Sequence, residues 1–218
     1  MQLKVLKDIM AANTATAEAN RARLDANGIL GVNIMASPGS GKTTFILGTI
    51  DSLGQDARVG VIEGDLASSV DAEKVAQKNV PVVQINTGGG CHLDANQINA
   101  GLDNLPLEAL DIILIENVGN LVCPSEFKLG EHKRVVILSV PEGDDKPYKY
   151  PGMFATADII IISKIDILPY FDFDLENFKK AVSGLNPGVL IFPLSARTGE
   201  GFDVWTDWLK SQALRQGK

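Results

Sequence analysis

The stretch ASPGSGKTT, residues 36–44, decides the fold of this 218-residue chain. It follows the apolar run ILGVNIMA (29–36) and precedes the apolar run FILGTIDSL (45–53). The pattern is that of a phosphate loop, with Ala36 at a first position that needs a small residue more than a glycine. A glycine-rich turn with a solvent-facing lysine is the alternative, and Gly-Lys-Thr between a strand and a helix argues against it. We therefore predict a nucleoside triphosphate site.

The loop residues predict the contacts with this nucleotide. Gly39 and Gly41 let the backbone curl so that N–H groups point at phosphate oxygens, beside the positive end of the next helix. Lys42 is expected to reach the β- and γ-phosphates, and the Thr43 hydroxyl to bind Mg²⁺. The predicted nucleotide-binding residues of the loop are Pro38, Gly39, Ser40, Gly41, Lys42, Thr43 and Thr44.

Working outward, Val/Ile-rich runs alternate with helix-like segments. The further strand candidates are 57–64, 80–86, 111–117, 133–140, 157–164 and 188–195, and the helix-like segments are 71–78, 93–102, 174–185 and 203–215. Near-continuous apolar strands separated by helices indicate a mainly parallel sheet with helices on both faces. The predicted fold class is α/β, a P-loop NTPase with an additional N-terminal helix.

The ends of the chain suggest a simple domain organisation. Residues 3–26 begin with apolar side chains at helical spacing, and Asn27-Gly28 is a helix stop signal. We predict an N-terminal helical extension, 1–28, and one P-loop GTPase domain, 29–218. The sequence shows neither an internal repeat nor a low-complexity linker.

Composition excludes several classes of protein. A net charge of −7 disfavours non-specific nucleic-acid binding, which needs a basic surface. No apolar stretch approaches the ~20 residues that span a bilayer, and the start lacks the apolar core of a signal peptide. Two cysteines are too few for a disulfide framework. The expectation is a cytoplasmic protein with neither a nucleic-acid nor a membrane partner.

Acidic residues follow two of the predicted strands. Glu116 ends DIILIEN, and Gly119 comes soon after it, where its N–H could sense a γ-phosphate. Asp65 follows a second strand, with Asp71 close behind. We predict Thr43, Asp65 and Glu116 as the magnesium site, and Lys42 and Asp65 as the catalytic residues, with Asp65 orienting the attacking water.

The late loops predict the base. Ser163-Lys164-Ile165-Asp166 matches the guanine-reading pattern Asn-Lys-x-Asp with serine in place of asparagine. The Asp166 carboxylate can accept from the ring N–H and the amino group of guanine, whereas adenine offers no such pair, and the Lys164 stem would lie along the base. Losing the asparagine amide costs about 0.5–1.5 kcal/mol, part of which a serine hydroxyl can recover. Ser195-Ala196-Arg197 resembles the loop whose backbone N–H meets the guanine carbonyl. GTP is predicted over ATP.

Seven motifs in order resemble one family, the hydrogenase-maturation nickel-insertion GTPases of the HypB type. They are ASPGSGKTT, EGDL with DAE, TGGGCHLDA, ENVGNLVCP, SVPEGDDKPYKYP, SKIDILPY and SARTGEGF. The resemblance runs from about residue 29 to 209. It implies a GTPase that dimerises and helps deliver Ni²⁺ to [NiFe]-hydrogenase with a partner nickel metallochaperone and the hydrogenase large subunit.

The resemblance also implies that Cys91, His92 and Cys123 bind Ni²⁺ or Zn²⁺. Both segments follow predicted strands, so their ligands should meet at one sheet edge. Two thiolates and an imidazole suit tetrahedral Zn²⁺ or square-planar Ni²⁺. Neighbouring residues in extended backbone point apart, so we expect a site shared across a two-fold dimer. The alternative is two buried cysteines acting as small hydrophobes, with His92 capping the next helix.

One departure from the family limits the metal chemistry. Its members often carry a cysteine motif or a histidine-rich stretch near the N-terminus, but residues 1–35 contain neither Cys nor His. Nickel should pass through the Cys91, His92 and Cys123 region or come from a partner. The expected function is a GTP-hydrolysing metallochaperone with slow intrinsic turnover, since no arginine finger is identifiable. The rivals are service to another nickel enzyme such as urease, a metal carrier with vestigial GTPase activity, and a small-molecule kinase.

Overall fold

The computed structural model describes residues 2–66 and 68–217, with side chains from residue 10 onward. The strands are β1 (Leu30–Ala36), β2 (Val59–Asp65), β3 (Val82–Asn86), β4 (Ile112–Glu116), β5 (Lys133–Ser139), β6 (Ile159–Ser163) and β7 (Leu190–Pro193). The helices are α1 (Gln2–Ala26), α2 (Lys42–Leu53), α3 (Val70–Ala76), α4 (Ala95–Asp103), α5 (Lys146–Lys149), α6 (Pro151–Ala155), α7 (Leu175–Leu185) and α8 (Phe202–Gln216). Each strand prediction is confirmed within two residues at either end.

The strands form one parallel seven-stranded sheet in the order β3-β2-β4-β1-β5-β6-β7. Their β-branched residues are buried on alternate faces, as a sheet covered on both sides requires. The predicted fold class is confirmed. The chain reverses direction of sheet growth at β1, which lies between β4 and β5, and ligands of open α/β sheets bind beyond the strand carboxyl ends at such a point.

Two apolar layers cover the sheet. On one face α2 and α8 pack together, with the Phe45 and Trp205 rings 5.2 Å apart. On the other face α4, α6 and α7 pack against the alternate strand residues. Burying side chains of this size stabilises the fold by roughly 1.5–3 kcal/mol each, before the loss of conformational entropy.

The N-terminal helix packs on the same face as α4. Leu24 is buried against β1, and a Cβ on Gly31 would lie 2.7 Å from its Cδ1, so a larger residue there would displace the Leu24 side chain. Asn20 donates from Nδ2 to the carbonyls of Ala95 and Leu129. The helix predicted for residues 3–26 is present, and the domain boundary at residue 28 stays a prediction. Within the described ranges, no helix combines the length and apolarity needed to cross a membrane.

Candidate functional site

The phosphate loop joins β1 to α2 at the carboxyl edge of the sheet. Gly39 and Gly41 adopt φ values of 77° and 96°, in the left-handed region that favours glycine. Gly41 is the N-cap of α2 and brings no side chain to its first-turn N–H groups. The loop is held in place by the Ser40 hydroxyl, which donates to the Ser37 carbonyl at 2.8 Å. The backbone therefore offers an array of donors to an anion.

A cavity of about 440 Å³ lies over this loop. It collects residues from the phosphate loop, the end of β2, α3 and the segment after β4. Its lining is Pro38, Gly39, Gly41, Lys42, Thr43, Thr44, Glu63, Gly64, Asp65, Leu66, Asp71, Lys74, Glu116, Asn117, Val118 and Gly119. All the residues predicted for the phosphates except Ser40 line it, together with the acidic residues predicted for magnesium.

Three carboxylates cluster inside this cavity. Glu63 and Glu116 are opposite each other in the β2–β4 register, and Asp71 comes from α3, so that one oxygen of each lies within 4.8 Å of the others. Thr43 Oγ1 donates to Glu116 Oε1 at 3.0 Å. Burial, with the charges of Glu116, Asp65 and Asp71, raises the pKa of Glu63 to about 8. Burial raises the pKa of Glu116 to about 7, although Lys42 and Thr43 act in the opposite direction.

The sequence prediction for magnesium overlooked Glu63. Glu63 lies within an apolar strand, so its sequence context indicated only a structural role. The pairing of β2 with β4 brings Glu116 beside it. Asp65 lines the same cavity, with its Oδ1 accepting from the Ser68 N–H at 2.7 Å. Asp71, named only as a residue close behind Asp65, lies with Glu63 and Glu116.

A second cavity of about 260 Å³ adjoins the phosphate loop and collects the predicted base-reading residues. The Asp166 carboxylate accepts from the Ser195 hydroxyl at 2.6 Å and lies 3.9 Å from the Arg197 guanidinium. Lys164 adopts φ 63° and donates from Nζ to the Gly39 carbonyl at 2.9 Å. Ala196 lines the cavity between these residues.

Ser163 contacts the phosphate loop. Its hydroxyl donates to the Ser40 carbonyl at 2.8 Å, and the residue is buried. In this structure the hydroxyl proton is used on Ser40, and the recovery of part of a lost bond to the base stays a prediction. Ser163 thereby ties the base-reading loop to the phosphate loop.

Cys91, His92 and Cys123 also converge. Their ligand atoms all lie within 4.8 Å of one another, with Cys91 Sγ 3.5 Å from His92 Nδ1. The premise that Cys91 and His92 point apart is wrong, because this segment bends instead of running extended, with Gly88 and Gly89 at positive φ before it. One chain thus brings all three atoms together without a second subunit.

The alternative of two buried hydrophobic cysteines and a helix-capping His92 is also wrong. Cys91 is exposed and Cys123 half-buried, so neither acts as a core hydrophobe. The cap of α4 is Asp94, whose side chain accepts from the Gln97 N–H, and not His92. The His92 ring instead packs on Phe127, with centroids 3.9 Å apart.

The protonation of these groups follows from their surroundings. Burial lowers the pKa of His92, with Asp94 opposing, so the imidazole is neutral and has a free lone pair near neutral pH. The hydrogen bond with Cys123 raises the pKa of the Cys91 thiol, and partial burial adds to the effect. A metal that binds here must displace thiol protons.

Gly119 and Asn120 link the two clusters. A Cβ on Gly119 would lie 3.1 Å from Pro38, so this residue rests directly against the phosphate loop. The next side chain, Asn120, donates from Nδ2 to the Cys91 carbonyl at 3.3 Å. Adjacent residues therefore contact the nucleotide side and the thiol side.

Comparison with known proteins identifies the family. The CobW/HypB/UreG nucleotide-binding domain matches residues 31–193. The hydrogenase maturation factor HypB of Escherichia coli is 46% identical over 96% of this chain and 72% of its own length. The chain belongs to the HypB family. HypB from Helicobacter pylori, solved in complex with nickel, superimposes with a TM-score of 0.90 at 39% identity over 95% of this chain and 97% of that one. A hydrogenase/urease maturation factor HypB of Helicobacter pylori is 40% identical over 95% of this chain and 86% of its own length.

Sequence reasoning missed one further residue of this HypB-family chain. Glu142 accepts from the N–H and hydroxyl of Ser139, both at 2.8 Å. Burial raises its pKa, but hydrogen bonds from Ser37, Ser139 and Ser40 outweigh this and hold the pKa below its ordinary value. Glu142 thus contacts the phosphate loop at Ser37 and Ser40. The EGDD motif that contains it carried the only signal.

Proposed function

We propose that this chain is a GTP-hydrolysing nickel metallochaperone for [NiFe]-hydrogenase maturation, whose nucleotide state changes its metal affinity and its dimerisation. One observation carries the proposal: Gly119 lies against Pro38 while Asn120 holds the Cys91 carbonyl. A shift of this segment on loss of the γ-phosphate would move a metal-bearing loop directly. GTPase switches act through such reordered segments.

The donor set supports a role for Mg²⁺ beside the nucleotide. Among the residues that the structure describes, Glu63 Oε2 and Glu116 Oε2 are buried without a hydrogen-bond partner. Carboxylates clustered with a threonine hydroxyl are the hard oxygen ligands that Mg²⁺ prefers. Thr43, Glu116 and Asp65 would hold the ion, with Glu63 and Asp71 as further candidates. When bound, it would neutralise charge on the phosphate oxygens.

The protein's own groups would support slow hydrolysis. Lys42 and the loop N–H groups would hold the β- and γ-phosphates and stabilise the negative charge that develops on them. Asp65 would orient the attacking water, and the Gly119 N–H would contact the γ-phosphate. Asp166, Lys164, Ser163 and the loop Ser195, Ala196 and Arg197 would select guanine. Without an identified arginine finger, turnover should be slow.

Nickel is the proposed cargo, and zinc the second metal. Two thiolates and one neutral imidazole provide three ligands, which leaves room for a ligand from solvent, a second copy of the chain or the acceptor. The proposed partners are a nickel metallochaperone, the hydrogenase large subunit and a second copy of this chain, in the cytoplasm. Service to urease is the second candidate, favoured by the similarity to the Helicobacter pylori protein whose name includes both enzymes.

Complementation tests the proposal as a whole. Cells that lack their own HypB would be supplied with wild type, Lys42→Ala, Cys123→Ala or the surface control Lys179→Ala, and hydrogenase and urease activity measured. Restoration by wild type and control alone supports the proposal. Full restoration by Lys42→Ala would show a nucleotide-independent carrier. Restoration of urease alone would transfer the function to that enzyme, and addition of excess nickel separates nickel delivery from other defects.

A further inference from the structure

Four largely buried polar side chains are linked by hydrogen bonds, beginning at Asn117, which lines the nucleotide cavity: Asn33, Asn117, Glu131 and Arg134. Asn33 and Asn117 are 0% and 1% exposed, and the Glu131 and Arg134 side chains are 4% and 14% exposed. Polar groups this deep are costly unless they are hydrogen-bonded, so their partners matter.

Asn117 joins the nucleotide cavity to the first metal loop, the segment 87–94 that carries Cys91 and His92. Its Oδ1 accepts from the backbone N–H of Leu93 and of Val118, both at 3.0 Å. Leu93 follows the ligand His92, and Val118 precedes Gly119. One carboxamide oxygen therefore fixes the distance between the two segments.

The other end of the Asn117 side chain begins a second arm. Its Nδ2 donates to Asn33 Oδ1 at 3.2 Å, and Asn33 Nδ2 donates to Glu131 Oε1 at 3.4 Å, the longest link. Glu131 Oε1 also accepts from Arg134 Nε at 2.7 Å. A continuous polar chain thus crosses from β4 through β1 to β5.

Arg134 ends this arm on the second metal loop, the segment 120–128 that carries Cys123. Its guanidinium donates to the Ser125 carbonyl at 2.9 Å and to the Phe127 carbonyl at 3.0 Å. Ser125 closes the 3₁₀ turn that begins at Cys123, and the Phe127 ring packs on His92. Both metal loops are therefore held from Asn117, one directly and one through three side chains.

We propose that Asn33, Asn117, Glu131 and Arg134 are positioning residues that set how strongly the nucleotide changes nickel affinity. Buried hydrogen bonds in a low-dielectric interior are stiff, and breaking one leaves an unpaired polar group. A shift at residues 117–119 would therefore be transmitted through these bonds to Leu93 and to the Ser125 and Phe127 carbonyls. This inference rests on the proposed function, since it assumes that nucleotide and metal affinity are coupled.

The test measures nickel affinity by competition with a chelator, with GDP and with a non-hydrolysable GTP analogue. The proteins are wild type, Asn33→Ala, Arg134→Lys and the control Asn186→Ala. Asn33→Ala removes the middle of the second arm, and Arg134→Lys keeps a charge beside Glu131 but cannot reach both carbonyls. Asn186 donates to the carbonyls of Phe154 and Ala157 and hydrogen-bonds to none of the four side chains, so its variant loses comparable bonds outside this chain of contacts.

We expect nickel affinity to differ by about fivefold or more between the two nucleotide states in wild type and in the control. In Asn33→Ala and in Arg134→Lys the difference should be below twofold. The Kd for each nucleotide without nickel should stay within threefold. A ratio of one in wild type would refute the coupling in the proposed function. If Asn33→Ala and Arg134→Lys both keep the wild-type ratio, the positioning role of the four side chains is refuted. The contact between Asn120 and the Cys91 carbonyl would then carry the coupling. Should Asn33→Ala not fold, Arg134→Lys decides the outcome.

Discussion

The nucleotide cavity and the thiol–imidazole cluster share one sheet edge but are built differently. The carboxylates Glu63 and Glu116 stand on paired strands, buried to 2% and 3% exposure, so sheet hydrogen bonds fix their separation. Cys91, His92 and Cys123 stand on two loops held by side-chain-to-backbone bonds. The carboxylates proposed for magnesium thus stand on sheet strands, whereas the proposed metal ligands stand on loops whose positions depend on a few side-chain hydrogen bonds.

The largest difference between the two sites should appear in Lys42→Ala, which should impair GTP hydrolysis and leave nickel binding intact. Loss of a charge directed at the phosphates should lower kcat for GTP hydrolysis by about 10²–10³-fold. Nickel affinity without nucleotide should stay within twofold, because the metal loops do not contact Lys42. Phosphate release and nickel competition assays measure both, with Lys179→Ala as the matched lysine control. A parallel loss of nickel affinity would show that the two sites are one structural unit.

Asp166→Asn should change the base that the cavity selects. An amide retains one acceptor and gains a donor, so it suits a purine that carries a carbonyl where guanine has its amino group. GTP affinity should fall by roughly 10–100-fold, the loss of a charge-assisted bond of about 1.5–3 kcal/mol, and xanthosine triphosphate affinity should rise. Fluorescent-nucleotide competition compares the two. Equal loss for both nucleotides would place Asp166 outside base recognition.

The sequence predicted groups of neighbouring residues better than contacts between distant segments, for a physical reason. The phosphate loop is contiguous, so its geometry is written in adjacent residues. Glu63 was overlooked because its partner Glu116 lies on another strand, and the pairing of β2 with β4 is not a local property. Asn33 and Arg134 contact residues far away in sequence, and the direction of Cys91 and His92 depended on a bend that an extended-backbone assumption reversed.

Glu63→Gln removes one buried titratable carboxyl group from the strand-borne site. The pKa values of about 8 for Glu63 and about 7 for Glu116 exceed the ordinary 4.5, so the fold binds extra protons. Without Mg²⁺, stability should therefore fall as pH rises from about 4.5 to 8. The variant should have a shallower slope and a Tm higher by roughly 3–8 °C at pH 8, but weaker Mg²⁺ binding. A steeper slope in the variant would contradict the assignment.

The smallest effect should come from a residue outside both sites. His132 Nδ1 accepts from the Gly31 N–H at 2.9 Å, and Nε2 lies 2.8 Å from Asp25 Oδ1. Burial lowers the pKa of His132, with Arg21 and Lys133 adding to this effect and Asp25 opposing it. Neutral His132 therefore contributes its full stabilisation of the fold above about pH 6.5. This contribution is lost as the pH falls below that value, because the unfolded chain takes up the proton first.

His132→Gln should flatten the dependence of Tm on pH between 6.5 and 5 and leave GTP hydrolysis and nickel affinity at pH 7.5 within twofold. Thermal scans across this range provide the measurement. An unchanged slope would mean that other groups set the acid sensitivity.

If nucleotide and nickel affinities are coupled within this chain, a thermodynamic cycle measures the coupling. Nickel Kd is measured with GDP and with a non-hydrolysable GTP analogue, and the Kd of each nucleotide is measured with and without nickel. We expect the two ratios to agree and to differ from one by about fivefold or more, because coupling free energies are reciprocal. Cys123→Ala should abolish both. Ratios of one on both sides of the cycle, with nickel and GTP each bound, would contradict the account.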